Sequence, residues 1–284
     1  MSGHGITVVG SINLDFVATA RTLPSPGETV TGATLARYPG GKGANQALAA
    51  KRLGADVRMI GRVGADSMAD EALALLRAEG VDLTGVSVDA AVPTGAALLA
   101  VAEDGENQIV VASGANHALL LEHLPRTFGG GALILQLEIP FDTIEAAVAR
   151  ATGFVCVNLA PAAEIPRAIL DRADLLIANE GEADFYGPKL HKGDGLVAVT
   201  WGSRGAGLFR HGARLATAEP PEIVAVDTTG AGDTFVAALT LALLEGQAPK
   251  QALTFACAAG ALTATRAGAQ PSLPTRAEVE GILR

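Results

Sequence analysis

Asp227-Thr228-Thr229-Gly230-Ala231-Gly232-Asp233-Thr234-Phe235 carries a turn of small residues straight into an apolar stretch that runs to Glu245. Read as a helix over 231–245, the segment opens on Gly230, Ala231 and Gly232, whose backbone N–H groups make a concave donor set at the positive end of a helix. Such a cradle suits a phosphoryl group acquiring negative charge. Asp233 falls in the first helical turn, where two readings stand. It is a partner for the helix dipole, or it acts on an incoming hydroxyl, since an idle carboxylate against a phosphate nest would repel the ligand.

A second glycine-rich entry to a helix lies upstream, Tyr38-Pro39-Gly40-Gly41-Lys42-Gly43-Ala44-Asn45-Gln46-Ala47. Glycine lets backbone approach a polar ligand closely, the helix start leaves N–H groups free, and Lys42 and Asn45 add side-chain donors. It is not a Walker A loop, because no glycine stands five residues before the Gly41-Lys42 pair and no Ser or Thr follows Lys42. A tight loop with a helix cap is the alternative reading of this segment.

Around these two heads, short β-rich runs alternate with alanine-rich amphipathic ones, the pattern of strand, crossover helix and strand in a mostly parallel sheet flanked by helices. Strands are expected at Ile6–Gly10, Val57–Ile60, Ala132–Leu137, Phe154–Asn158, Leu175–Ala178 and Leu196–Thr200. Helices are expected at Ala44–Leu53, Met68–Glu79, Phe141–Ala151, Glu180–Tyr186, Ala231–Glu245, Pro249–Arg266 and Arg276–Leu283. Phe16–Ala20 with Thr29–Ala36, and Gly95–Val101 with Gln108–Ala112, are strands lacking helices between them, and the second pair is joined by Glu103-Asp104-Gly105-Glu106-Asn107. They predict a small antiparallel flap over the carboxyl edge of the main sheet, where open α/β folds bind ligands. The expected division is an α/β body of residues 1–12, 37–93 and 113–284 and a lid of residues 13–36 and 94–112.

Composition narrows the function. The 284 residues are 49% hydrophobic and 18% charged, too apolar for disorder, and no apolar run reaches the roughly 18 to 20 residues of a membrane span. A net charge of -9 argues against a grip on nucleic acid or anionic lipid, which needs clustered Lys and Arg. Met1–Gly10 has neither a basic flank nor a signal-like apolar core, so the cytosol is the expected location. Cys156 and Cys257 read as small core residues, and His4, His117, His123, His191 and His211 show no metal-ligand spacing.

Taken in order, Gly10-Ser11-Ile12-Asn13-Leu14-Asp15, Gly40-Gly41-Lys42-Gly43-Ala44-Asn45-Gln46, Gly105-Glu106-Asn107, Gly114-Ala115-Asn116, Gln136-Leu137-Glu138, Asn158 with Pro161, Asn179-Glu180-Gly181-Glu182, Thr200-Trp201-Gly202-Ser203-Arg204-Gly205, Asp227 to Phe235 and Thr265 to Ser272 resemble the ribokinase family of sugar kinases, the PfkB-type group. The likeness spans practically the whole chain. It implies a three-layer α/β kinase with a β lid, which in relatives also pairs two subunits into a homodimer. It implies that Asn13, Asp15, Gly41, Lys42, Asn45 and Glu138 hold the sugar, with Leu14, Gly43 and Ala44 inside the same two motifs; taken singly, Asp15 and Glu138 also read as turn and strand-end residues. On the nucleotide side it implies Asn179, with Glu182 acting indirectly through the Mg²⁺ water shell, and the run Thr200, Trp201, Gly202, Ser203, Arg204 and Gly205, which otherwise reads as a strand-to-strand turn. Cys257 would stand near adenine. A K⁺ site built largely from main-chain carbonyls is implied at Asp227, Thr229, Thr263, Arg266, Gly268 and Ser272. The implied reaction is transfer of the ATP γ-phosphoryl group to the 5-hydroxyl of D-ribose, with Asp233 accepting the proton and the amides of Gly230, Ala231 and Gly232 taking the developing charge. Another sugar or a nucleoside as acceptor, or a sugar-binding relative without activity, are the alternatives. The crossover helix after Asn179 is expected to be trimmed to about two turns.

Overall fold

The computed structural model describes residues 5–284. The chain starts on β1 (Gly5–Val9), leaves it for β2 (Asn13–Ala20) and β3 (Thr34–Gly40), and returns through α1 (Lys42–Arg52), β4 (Asp56–Gly64), α2 (Ser67–Ala78) and β5 (Asp82–Asp89). A second excursion, β6 (Gly95–Ala102) and β7 (Asn107–Ala112), leads to β8 (Ala132–Leu135), α3 (Phe141–Arg150), β9 (Phe154–Asn158), α4 (Arg167–Arg172), β10 (Leu175–Asn179), α5 (Glu180–Tyr186) and β11 (Leu196–Thr200). The hairpin β12 (Ala206–Arg210) and β13 (Ala213–Ala218) precedes α6 (Ala231–Leu244), α7 (Pro249–Thr263), α8 (Ala269–Ser272) and α9 (Arg276–Ile282).

The main sheet has the order β13-β12-β11-β10-β9-β8-β1-β4-β5. All pairs from β5 to β11 are parallel and only the β12/β13 edge is antiparallel. Parallel strands need cover on both faces, and the side-chain alternation supplies it. Ile6, Val8 and Ile134 enter one core layer with residues of α1, α2, α6 and α7. Val9, Leu133 and Leu135 enter the other with residues of α3 and α4.

The second sheet, β3-β2-β6-β7, consists of two antiparallel pairs joined by parallel pairing of β2 with β6. Its faces differ. Ala97, Leu99, Ile109 and Val111 look onto the carboxyl edge of the main sheet, whereas Leu98 and Val110, opposite one another in register, stay 54% and 65% exposed.

Several expected boundaries move. The strand expected at Thr29–Ala36 is β3, Thr34–Gly40, so Tyr38-Pro39-Gly40 is extended backbone and not part of the turn. Gly32, with φ of 81°, interrupts the earlier stretch, and Pro39 is tolerated because β3 is an edge strand. β5, α4 and the β12/β13 hairpin were not anticipated. β5 is an edge strand with a half-exposed, polar-interrupted face, and the hairpin turns on His211 and Gly212, both at positive φ. The last long helix stops at Thr263 and not at Arg266. The trimmed crossover is as expected: α5 has 7 residues. His4 lies outside the described residues. Among the described residues no helix is long and apolar enough to cross a membrane.

α1 sits unusually close to the end of β1, because a Cβ on Gly43 would stand 2.7 Å from Gly10 C and from Ser11 N. Gly281, in α9, has nothing within 4 Å of the same position. The two helical glycines are therefore expected to respond with opposite signs. Gly43→Ala should lower unfolding free energy by about 1–3 kcal/mol through overpacking, and Gly281→Ala should raise it by about 0.5–1 kcal/mol. Urea unfolding midpoints of the two variants check both signs.

Candidate active site

The carboxyl ends of β1, β8, β9, β10 and β11 converge under the second sheet on a cavity of about 400 Å³. Each strand end delivers polar groups: Asn13 and Asp15 after β1, Glu138 after β8, Asn158 on β9, Asn179 and Glu182 after β10, and Thr200 on β11. The heads of two helices complete the wall, Gly41, Lys42 and Asn45 from α1 and Gly230, Gly232 and Asp233 from α6. A second cavity of about 610 Å³ is largely apolar, walled by Pro220, Pro221, Ile223, Phe235, Cys257 and Ala261, with Gly202, Ser203 and Gly205 at its rim. Thr200, Thr228 and Gly232 belong to both, so the cavities meet at the glycine turn.

Asp233 is 8% exposed and held from both sides. Asn45 Nδ2 donates to its Oδ2 at 2.9 Å and Gln46 Nε2 to its Oδ1 at 2.9 Å. Gln46 Nε2 also donates to Asn158 Oδ1 at 3.1 Å, and Gln46 Oε1 accepts from Gln136 Nε2 at 2.6 Å. Gln46 and Gln136 were quoted only as parts of motifs, yet they fix this carboxylate. The signal was available: Gln46 is the residue after Asn45 and shares the first turn of α1. Asn116 does the same for Asn13, donating from Nδ2 to Asn13 Oδ1 at 2.7 Å while its Oδ1 accepts the Ile12 N–H at 2.8 Å. Ser11 Oγ donates to Glu138 Oε2 at 2.5 Å.

The end of this cavity around Asp15 is crowded with acid. Burial pushes Asp15 up to about 7, the negative charges of Glu138 and Asp233 add to the rise, and Lys42 opposes it. For Lys42, burial alone would lower the pKa, but Asp233, Glu138, Glu182 and Asp15 together hold it above the ordinary lysine value. Asp15 Oδ1 and Asn45 Oδ1 are buried without a hydrogen-bond partner. Unpaired buried acceptors of this kind favour a ligand that brings hydroxyl donors.

At the α6 head, Gly230 takes a left-handed conformation (φ 81°) and no side chain caps the helix. Thr234 N–H donates to Gly230 C=O at 2.9 Å and Ala231 N–H to Thr228 C=O at 3.2 Å. This corrects the expected donor trio: the Ala231 amide is engaged within the turn, while among the described residues no protein acceptor meets those of Gly230, Gly232 and Asp233. Nothing lies within 4 Å of a Cβ position on Gly232, so the head is open. Asn179 and Glu182 cap α5 reciprocally, Glu182 N–H to Asn179 Oδ1 and Asn179 N–H to Glu182 Oε2, each at 2.8 Å. Burial raises the Glu182 pKa, opposed by the Asn179 bond and Lys42.

Beside the α6 head, Asp227 Oδ1 accepts from Thr229 N–H at 2.9 Å and Thr229 Oγ1 at 2.7 Å, and its Oδ2 accepts from Gly268 N–H at 2.8 Å. Burial works against its ionisation, but these bonds outweigh it and hold the carboxyl below the usual range. The 227 and 268 turns also meet where Val226 N–H donates to Ala264 C=O at 2.8 Å.

Other anticipated residues point elsewhere. Leu14 and Ala44, 1% and 0% exposed, belong to the core, and the Gly43 amide donates to Ser11 Oγ at 3.3 Å. These three lie behind the cavity wall. Trp201 turns edge-on to Phe209 at 6.5 Å, and Arg204 pairs with Glu180 at 2.6 Å, so neither lines a cavity. The Arg266 guanidinium goes to Glu278. Thr263 Oγ1 lies 2.7 Å from Thr234 Oγ1, and Ser272 Oγ donates to Ala269 C=O at 2.7 Å. Burial pushes the Cys257 thiol up to about 11 and Cys156 up to about 12, so both are protonated packing groups. Among the described residues no group of three His, Cys, Asp or Glu side chains could hold a metal ion.

The model of the pfkB family carbohydrate kinases matches residues 4–276. The ribokinase of Bacillus subtilis (strain 168) is 38% identical over 293 aligned positions that cover 99% of each chain. Among solved structures, the ribokinase of Thermotoga maritima superposes with a TM-score of 0.88 at 35% identity, covering 98% of both chains. The ribokinase of Arabidopsis thaliana complexed with ribose and ATP does so with a TM-score of 0.86 at 32% identity, covering 100% of this chain and 99% of that one. A family match over nearly the whole chain, on a fold whose strand ends and helix heads build one polar and one apolar cavity around a shared glycine turn, means that the chain belongs to the pfkB family of carbohydrate kinases.

Proposed function

We propose that the chain transfers the γ-phosphoryl group of ATP to the 5-hydroxyl of D-ribose, giving ribose 5-phosphate and ADP. The observation that carries this reading is the junction at Gly232: a polar cavity with unpaired buried acceptors meets an apolar cavity at an uncapped helix head, with Asp233 beside it. Full-length likeness to ribokinases, one of them complexed with ribose and ATP, supports the substrate pair.

In this mechanism Asn13, Asp15, Lys42, Asn45 and Glu138 orient the sugar, and Gly202, Ser203, Gly205 and Cys257 border the nucleotide. A pocket of amides and carboxylates discriminates well, because a missing hydroxyl leaves buried polar groups unpaired. The O5 oxygen attacks the γ-phosphorus, the bond to the β-γ bridging oxygen breaks with its electron pair leaving on ADP, and the O5 proton passes to Asp233. A carboxylate is a far weaker base than an alkoxide, so proton transfer is late and much of the value of Asp233 is in aiming the oxygen. General-base terms contribute about 10² to 10⁴-fold. Alignment and the Gly230, Gly232 and Asp233 amides supply the larger share. β2, β3, β6 and β7 act as a lid that excludes water.

Two cations fit the residues present. Four carboxylates, Asp15, Glu138, Glu182 and Asp233, surround one Lys42, so a triphosphate is best admitted with Mg²⁺, held through water by Glu182 rather than by a protein cluster. When bound, Mg²⁺ neutralises charge on the phosphates. The Asp227 and Gly268 turns meet beside the α6 head with the Arg266 side chain directed away, which fits K⁺ held there by backbone oxygens of Asp227, Thr229, Thr263, Arg266, Gly268 and Ser272. K⁺ would add positive potential next to the phosphate-facing turn. The outward pair Leu98 and Val110 suits a homodimer through the lid, and use of ATP with two protonated buried cysteines suits the cytosol.

An acceptor panel of D-ribose, 2-deoxyribose, fructose and a ribonucleoside, read by ADP release in K⁺ and in Na⁺ at equal ionic strength, tests the reading. Ribose is expected to lead, with lower rates in Na⁺. A nucleoside ahead by tenfold overturns the substrate, and indifference to the ion removes the K⁺ site.

Asp233→Asn is expected to cut kcat at least about a hundredfold with ribose affinity changed less than about twofold. The substitution keeps the shape of the side chain and an Oδ1 that still accepts from Gln46 Nε2. Unchanged turnover would refute the assigned role.

Burial pushes Asp15 up to about 7, and its ionised form is the stronger acceptor for a sugar hydroxyl. Ribose affinity measured calorimetrically should therefore weaken about tenfold between pH 8 and pH 6. Asp15→Asn should flatten that profile, and an unchanged slope in the variant would assign the titration to another group.

A further inference from the structure

Tyr38 stands where three pieces of the site touch, although it lies outside both cavities. On β3 it pairs in register with Asp15 of β2. One side of its ring lies against Gly268: a Cβ at that glycine would be 2.8 Å from Tyr38 Cδ1 and 3.0 Å from Cε1. Gly268 holds φ 79° and ψ 156°, a backbone region essentially reserved for glycine. The amide of that same residue donates to Asp227 Oδ2, whose carboxylate fixes Thr229 through Oδ1. One residue on, a Cβ at Gly230 would be 3.2 Å from Ala269 Cα, so the α6 head rests on the turn that Tyr38 presses. A continuous set of contacts thus runs from the sugar-side strand pair to the turn whose free amides face the phosphate.

We infer that Tyr38 is a positioning residue that couples occupancy of the sugar cavity to the geometry of the phosphate-facing turn at Thr229-Gly230. β3 runs directly into α1 through Gly40 and Gly41, the latter at φ 87°. A sugar hydroxyl meeting the unpartnered Asp15 Oδ1 fixes the β2/β3 pair. The ring of Tyr38 then sets Gly268, Gly268 sets Asp227, and Asp227 sets Thr229. The sugar therefore strengthens nucleotide binding without touching it, and by linkage the nucleotide strengthens sugar binding by the same factor. Tyr38 Oη makes no hydrogen bond among the described residues, so the ring and not the hydroxyl carries the coupling.

The inference rests on the proposed kinase reading, and its test is separable from it. ADP affinity is measured calorimetrically with and without saturating D-ribose, or whichever sugar of the acceptor panel is turned over fastest if ribose is not. ADP with sugar is a dead-end pair, so no turnover intrudes. The native chain should bind ADP at least about fivefold more tightly with sugar present. Tyr38→Phe should keep that factor, whereas Tyr38→Ala should reduce it below about twofold while leaving each binary affinity within about threefold. Tyr38→Leu, which preserves apolar bulk, provides the same reading if the alanine variant fails to fold. Absence of coupling in the native chain, or full coupling in Tyr38→Ala (in Tyr38→Leu where the alanine variant does not fold), overturns the inference even if the sugar is phosphorylated.

Discussion

Two helix heads, α1 and α6, are locked together by one buried carboxylate. Asp233 can be 8% exposed only because Asn45 and Gln46 satisfy both its oxygens, since an ionised group taken out of water without partners is prohibitively unstable. The lock extends beyond the pair. Gln46 uses its amino group on Asp233 and Asn158 and must then turn Oε1 toward Gln136, so the orientation of one amide dictates the next back to the end of β8. A connected network of this kind rigidifies the site, although Asn45 Oδ1 and Gln136 Oε1 within it stay unpaired. The Asp233 carboxylate is thereby held in one orientation from both sides.

The same constraint separates two environments. On one side, carboxylates surround Lys42, and Asp15 Oδ1 and Asn45 Oδ1 have no hydrogen-bond partner. On the other side, Pro220, Ile223, Phe235 and Cys257 form a surface with little to offer but contact. Glycine at 232 keeps the boundary open, because a side chain there would occupy the free space above the helix where the two cavities meet. With no side chain capping α6, amides that a Ser or Asp would have satisfied stay free at this boundary, as at helix heads that bind anions.

Much of this was legible from residue order. The alternation of strands and helices, the two glycine heads and the lid strands rest on local signals: period, small residues and turn chemistry. What was not legible depended on tertiary position. Leu14 and Ala44 share motifs with genuine cavity residues, yet the strand and helix periods turn them into the core, and Trp201 and Arg204 are likewise turned to Phe209 and Glu180. Tyr38-Pro39-Gly40 has the composition of a turn and becomes strand because it lies on an edge. β5 carries only a weak apolar pattern for the related reason that it is an edge strand with one half-buried face, where Leu83 and Val86 meet the core. The Ala231 amide was assigned to the ligand although the turn claims it, a distinction that only the hydrogen-bond geometry makes.

Because the polar and apolar chambers are contiguous at Gly232, a single synthetic molecule bearing a sugar-like head and a nucleobase-like tail could occupy both at once. Joining the two halves by a short polyanionic bridge would replace a second bimolecular encounter with an intramolecular one, at effective concentrations in the millimolar range. The gain would be set by bridge length and stiffness rather than by any new contact. That makes the doorway between the chambers, more than either chamber alone, the dimension against which an inhibitor of this enzyme would be drawn.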